Sequence, residues 1–353
     1  MKSGKTLCFL IYFVLIITSI LYSQNSTARF LLWQPSARSI AIGGTGTAIV
    51  DNSFATFYNP AGLAFANGIN FANSYVKPFA FFDHTVHSLS ALSVSVEGFG
   101  TLALSANRFW RERQAITDET GPGILGMEEE KFKFFTPIHW EAKLSYAILL
   151  SKHASIGLNV SLLRINLSRN VAYAKSEKGK TSTMMFGAGL MFKNILPNTT
   201  LKPGLNHRCN FLHKYAEKRK DAGLSLGFSI LNAGNKITFI DDSQKDNPPT
   251  LASIGFAYWP ISSPIVTLMI STDFEKEIFE SSSLDYIHFG KEIRLLNIFS
   301  VRTGYFLDTD IPKTSYFTFG GGIHFKYFSF NVARYKRSLL PTWHFDGTIF
   351  MEI

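Results

Sequence analysis

The chain has 353 residues, of which 33 are Phe and 26 Gly; 17% are charged, and the formal net charge is +9. Past the N-terminus no apolar run reaches the ~20 residues that a membrane-spanning helix needs. A chain this apolar and aromatic can then cross a bilayer only as a closed sheet, in which every backbone donor is paired.

The elements follow in chain order. Lys2 and Lys5 precede an apolar run from Leu7 to Ile17, and a polar stretch begins at Ser23. That run is too short for a spanning helix and reads as a signal peptide, residues 1–23, cleaved after Ser23. Cleavage removes Cys8 and leaves Cys209 alone, which excludes a disulfide-stapled fold. It also leaves 33 Lys and Arg against 26 Asp and Glu, an excess of seven positive charges. In an exported protein this excess points away from nucleic acid and toward anionic lipid or an acidic partner.

Residues 24–66 carry glycines and a turn signal rather than strand periodicity. Gly43, Gly44 and Gly46 permit a tight backbone, Asn59-Pro60 initiates a turn, and Ser53 or Asp51 is placed to cap a short helix ending near Gly62. Such a segment suits packing inside a barrel lumen. The expected plug motif is Gly43, Gly44, Asn59, Pro60, Ala61 and Gly62.

From residue 67 onward the period is two. In 315–326 one face carries Phe317, Phe319, Gly321 and Ile323, and the other Tyr316, Thr318, Gly320, Gly322 and His324. Alternation over about ten residues is the pattern of a transmembrane β-strand, apolar outward and polar inward. Fourteen such segments are expected: 67–77, 84–97, 99–111, 137–151, 154–168, 182–193, 220–232, 250–260, 264–275, 284–295, 297–308, 314–326, 328–337 and 342–353. The fold class is therefore all-β, an antiparallel transmembrane barrel of about 14 strands with an N-terminal plug in its lumen.

The connections alternate short and long, as they do in outer-membrane barrels with short periplasmic turns and longer external loops. The exception is 194–219, a long basic segment on the short side; it is either a periplasmic excursion or a sign that two strands are missing from the count.

The segment from Ser36 to Ala48, with Asp51-Asn52-Ser53 and Tyr58-Asn59-Pro60-Ala61-Gly62-Leu63-Ala64, resembles the FadL-like superfamily of outer-membrane barrels, and especially its PorV/PorQ family. Downstream, 223–239 and the Val301-Arg302-Thr303-Gly304-Tyr305-Phe306 strand are similar to that family as well. The chain departs from it in the 194–219 segment and in ending on Ile353. The resemblance implies a component of the type IX secretion system in the outer membrane, bound to translocon and attachment-complex proteins and to the C-terminal domains of secreted cargo. The surface for those partners would be the external loops, with Arg111, Arg113, Glu128, Glu129, Glu130, Asp241, Asp242 and Lys245 as candidate contacts. The alternative is a FadL-type transporter of hydrophobic small molecules, with the N-terminal segment as a movable hatch; an apolar lumen would favour it. The inward faces read as Ser, Thr, Gly, Asn and Lys, which disfavours a greasy channel.

No catalytic arrangement emerges: no serine stands in a Gly-x-Ser-x-Gly elbow. His84, His87, His207, Cys209 and His213 match no zinc spacing. Gly44-Thr45-Gly46 lacks the βαβ unit and ribose-binding acid of a dinucleotide site. Neither an enzyme nor a cofactor is expected.

Overall fold

The computed structural model describes residues 28–78, 85–111, 114–115, 134–166, 180–196, 223–238, 245–263, 265–279, 285–336 and 341–351. Fourteen antiparallel strands close into one barrel in sequence order. They are β1 (Ile69–Val76), β2 (Val86–Val96), β3 (Gly100–Trp110), β4 (Ile138–Ser151), β5 (Ala154–Asn166), β6 (Lys180–Phe192) and β7 (Gly223–Gly234). The second half comprises β8 (Leu251–Ser262), β9 (Val266–Glu277), β10 (Tyr286–Leu295), β11 (Phe299–Asp308), β12 (Tyr316–His324), β13 (Phe328–Lys336) and β14 (Pro341–Met351). Each expected segment overlaps one of them, with ends that differ by no more than three residues. The seam closes between β1 and β14, from Ile69 opposite Met351 to Val76 opposite His344, so no edge is left unpaired.

Short turns and long connections segregate to opposite ends, with the β6–β7 connection as the exception. At the short end, Leu296 and Asn297 both take positive φ, 53° and 56°, as the central pair of a type I′ turn requires, and the Ile298 N–H closes that turn on the Leu295 carbonyl. The β6–β7 connection is long, yet Phe192 of β6 pairs with Leu226 of β7. The two strands are neighbours, no hairpin is missing between them, and the count of fourteen stands; residues 197–222 lie outside the described residues.

Outward faces are apolar: Phe317, Leu104, Leu158 and Phe186 are all more than half exposed. Their inward neighbours, such as Thr318, Ser105, Asn159 and Ser161, are buried. A wall with apolar side chains toward the surroundings and polar ones inside is that of a membrane barrel. Phe228, at the middle of β7 and flanked by outward Leu190 and Ile254, sets a measurable consequence. Phe228→Arg should destabilise the barrel by about 2–4 kcal/mol, and Ile138→Arg, at the long-connection rim, by about 0–1 kcal/mol. Urea titration of protein refolded into vesicles reads both.

Candidate functional site

The lumen is filled by residues 28–66, which run from the long-connection end to the short-turn end before entering β1. A 3-10 turn, Arg29–Leu32, comes first, then helix α1 (Ala37–Ala41), helix α2 (Ala55–Tyr58) and a second 3-10 turn, Pro60–Phe65. Ser36 caps α1 by accepting from the Ser39 N–H. The cap expected at Ser53 or Asp51 is not formed. Ser53 instead donates to the Asn70 carbonyl and meets the Ser93 hydroxyl at 2.9 Å, and Asp51 pairs with Lys193 at 2.9 Å. Nor does one helix reach Gly62. The residue before a proline is driven into extended backbone, and Asn59 is extended, ending α2; its side chain then accepts from the Ala61 N–H to cap the turn that follows.

Two kinds of contact hold the plug to the wall. The first is electrostatic and lies on β9 to β14. Asp273 accepts from the backbone N–H groups of Gly46 and Thr47, both at 2.8 Å. Asp346 accepts from the Ser36 hydroxyl at 2.9 Å and from the Arg38 N–H at 3.2 Å. Glu292 gathers three guanidiniums: Arg38 of the plug at 3.0 Å, Arg302 at 2.6 Å and Arg294 at 3.1 Å. Arg302 is fully buried and also donates to Asn331, which donates to Asp346. A charge removed from water is tolerable only when its hydrogen-bonding capacity is filled in this way.

The second kind is close approach of backbone to backbone. Inward-facing glycines at 157, 189, 227, 255, 290 and 304 each lie against the plug, and a Cβ on any of them would overlap it. At Gly304 the clash is with the backbone of Ile42 and Gly43. Gly43 itself has φ +75°, a conformation disfavoured for any residue with a Cβ. Its N–H donates to the Thr318 hydroxyl at 2.9 Å, and its carbonyl meets His288 Nδ1 at 2.7 Å.

The plug motif is thus gathered in the lumen. Gly43 and Gly44 face β10 to β12. Asn59 donates to the Leu190 carbonyl of β6, Pro60 abuts Gly157, Ala61 accepts from Ser155 at 2.8 Å, and Gly62 packs under the Val50 carbonyl. The expected partner surface is mostly not in view. Arg111 is exposed at the end of β3, and Lys245 is exposed in a two-residue ribbon pairing Ile237–Thr238 with Lys245–Asp246. Arg113, Glu128, Glu129, Glu130, Asp241 and Asp242 lie outside the described residues.

Sequence reading missed an apolar patch inside the lumen. At the long-connection end, inward-facing Phe109, Leu163, Ile165 and Met185 form one cluster with Ile237 and with Phe30 and Leu31 of the plug. The Phe30 ring stacks on Phe109 at 5.9 Å and on His139 at 5.8 Å, and Trp33 meets Phe109 edge-on at 4.8 Å. The signal was present as an inversion of the alternation: Arg108 and Arg164 point outward while Phe109 and Ile165 point in. The inward faces are therefore not uniformly polar. Beside the cluster lie the buried side chains of His87 and Asn107, which face each other, and below it the Glu141–Lys143 pair at 3.2 Å.

No protein-family model matches the chain, and no curated protein matches it. Solved structures do share its fold. It is similar to the TodX deltaS2S3 mutant, a monoaromatic hydrocarbon channel, at 12% identity and a TM-score of 0.54, covering 89% of this chain and 96% of that one. It is similar to CymD, also a monoaromatic hydrocarbon channel, at 12% identity and a TM-score of 0.52, covering 90% and 98%. The TodX deltaS2 mutant gives 12% identity and 0.51 over 89% and 96%. The architecture of this chain, a fourteen-stranded barrel around an N-terminal plug, is an outer-membrane β-barrel fold.

Proposed function

We propose that this protein is an outer-membrane channel for small apolar molecules, closed by its own N-terminal segment after removal of a signal peptide. The observation that carries this reading is the aromatic cluster inside an otherwise polar lumen. Phe30 occupies it as a bound aromatic ring would, packed beside the rings of Phe109 and His139 and bounded by Leu163, Ile165 and Met185. Apolar pockets with a few adjoining polar groups are the common form of small-molecule sites. That the TodX and CymD structures are of monoaromatic hydrocarbon channels makes monoaromatic compounds the first substrates to try.

The two partners in the stack predict opposite effects. Phe109→Ala removes a wall of the pocket and should weaken binding of a monoaromatic probe about tenfold, whereas Phe30→Ala vacates the pocket and should strengthen it by a similar factor. Titration calorimetry in detergent reads both; equal affinities across the three proteins would defeat the assignment of this pocket.

The type IX secretion role rests on sequence resemblance alone, in the PorV/PorQ-like segments at 36–53, 58–64, 223–239 and 301–306. Its test is a gentle-detergent pull-down from native membrane. Recovery of a translocon barrel, or of proteins sharing a C-terminal sorting domain, would support it over the channel.

A further inference from the structure

The outward face of β2 to β5 carries a feature that transport through the lumen does not use. Arg108 of β3 lies opposite Trp140 of β4, which lies opposite Arg164 of β5. All three point to the lipid side; both arginines are exposed and Trp140 is half-buried. The arginine backbones are two strand spacings apart, roughly 10 Å, and their guanidiniums can converge. Among the described residues no outward side chain on β2 to β5 is acidic, so none of them neutralises the pair.

Directly toward the membrane centre the wall is hollowed. Ser90, Ala106 and Ala142 are in register on adjacent strands, and the larger outward side chains around them, including Phe71, Leu92, Leu104, Leu144 and Leu162, bound an open groove of about 600 Å³. Its lining is almost wholly apolar. At its β1 edge, Asn73 donates to the Ser90 hydroxyl at 2.8 Å.

We propose that this face binds a phosphorylated glycolipid of the outer leaflet, its phosphate held between Arg108 and Arg164 and one acyl chain laid in the groove below. Three features select that occupant. The groove is open toward lipid and sized for a chain, not a folded partner. Guanidiniums bind phosphate through paired, charge-assisted hydrogen bonds. The arginines stand at the long-connection end of the strands, the end that faces outward in outer-membrane barrels, with a tryptophan of the interfacial type between them. A cationic rim above an apolar groove is complementary to an anionic headgroup above its acyl chain.

The test uses the full-length protein purified in detergent, with lipid A and phosphatidylglycerol as probes and bound lipid counted by native mass spectrometry. Wild-type protein should retain lipid A through detergent exchange. Occupancy should fall at least tenfold in Arg108→Gln/Arg164→Gln, and also in Ala142→Trp, which fills the groove and keeps both arginines. Arg334→Gln, on β13 where the guanidinium lies 5.0 Å over the Trp343 ring, should leave it unchanged. Folding of each variant is checked by heat-modifiable migration on gels. Equal retention in wild type and the double variant overturns the site. Loss in the arginine variant but not in Ala142→Trp overturns the acyl groove, and equal retention of phosphatidylglycerol overturns the glycolipid assignment.

Discussion

Gly304→Val should unseat the N-terminal plug while the barrel stays closed. The position faces inward on β11, and a Cβ there would overlap the backbone of Ile42 and Gly43. Overpacking typically costs about 1–3 kcal/mol when flexible side chains can give way. Here both sides of the contact are backbone: Gly304 is fixed by pairing with Gly290 and Thr318, and Gly43 by its bonds to Thr318 and His288. The effect should therefore lie at or above the top of that range. It should appear as proteolytic cleavage within residues 36–58 and as raised single-channel conductance in planar bilayers. Gly347→Val is the control, because its Cβ would meet nothing closer than 3.8 Å. A Gly304→Val protein as protected and as poorly conducting as wild type would show that the plug seats without this contact.

Loss of the Glu292 carboxylate should be the most damaging change in the lumen's charge network. Glu292 is bonded by Arg38, Arg294 and Arg302, and its side chain is 1% exposed. Glu292→Leu leaves Arg302, itself fully buried, without its principal counter-charge. Breaking one half of a buried pair in this way costs about 3–5 kcal/mol, largely from the stranded charge. The double variant Glu292→Leu/Arg302→Met removes both charges and should recover much of that loss. Urea unfolding in vesicles measures the cycle; a double variant no more stable than Glu292→Leu would contradict this origin. Arg38 ties the effect to function, since it is the plug's own contact with Glu292. Plug protection should fall in the single variant as well.

How much of this was legible in the sequence differs between wall and lumen. Period-two alternation located all fourteen strands, because burial on one face imposes the pattern on every strand alike. The alternation of short and long connections, which is independent of the strand pattern, supported the count. The wall glycines were missed: at 157, 189, 227, 255, 290 and 304 they look like ordinary small inward residues. Their purpose appears only when residues 42–61, distant in sequence, are laid against them. The charge network was hidden for the same reason. Nothing local marks Arg38, Glu292 and Asp346 as neighbours, separated as they are by more than 250 residues between plug and wall. The apolar cluster was partly legible. Phe109 and Ile165 break the alternation at the ends of β3 and β5, but the strand middles set the reading. The caps were misassigned because Ser53 and Asp51 find stronger partners across the lumen, on β1, β2 and Lys193, than the helix beside them offers.

These contacts place the N-terminal segment as the element that must move if the lumen is to conduct. Ser53 of the plug and Ser93 of β2 bring their hydroxyl oxygens to 2.9 Å, close enough for a thiol pair to form a disulfide bond of about 2.05 Å with a small adjustment. The most direct test is uptake of a labelled monoaromatic compound by vesicles containing Ser53→Cys/Ser93→Cys protein in a Cys209→Ser background, oxidised and then reduced. A gated channel predicts that uptake is lost on oxidation and returns on reduction. Uptake that is equal in the two states, or absent from both, contradicts it.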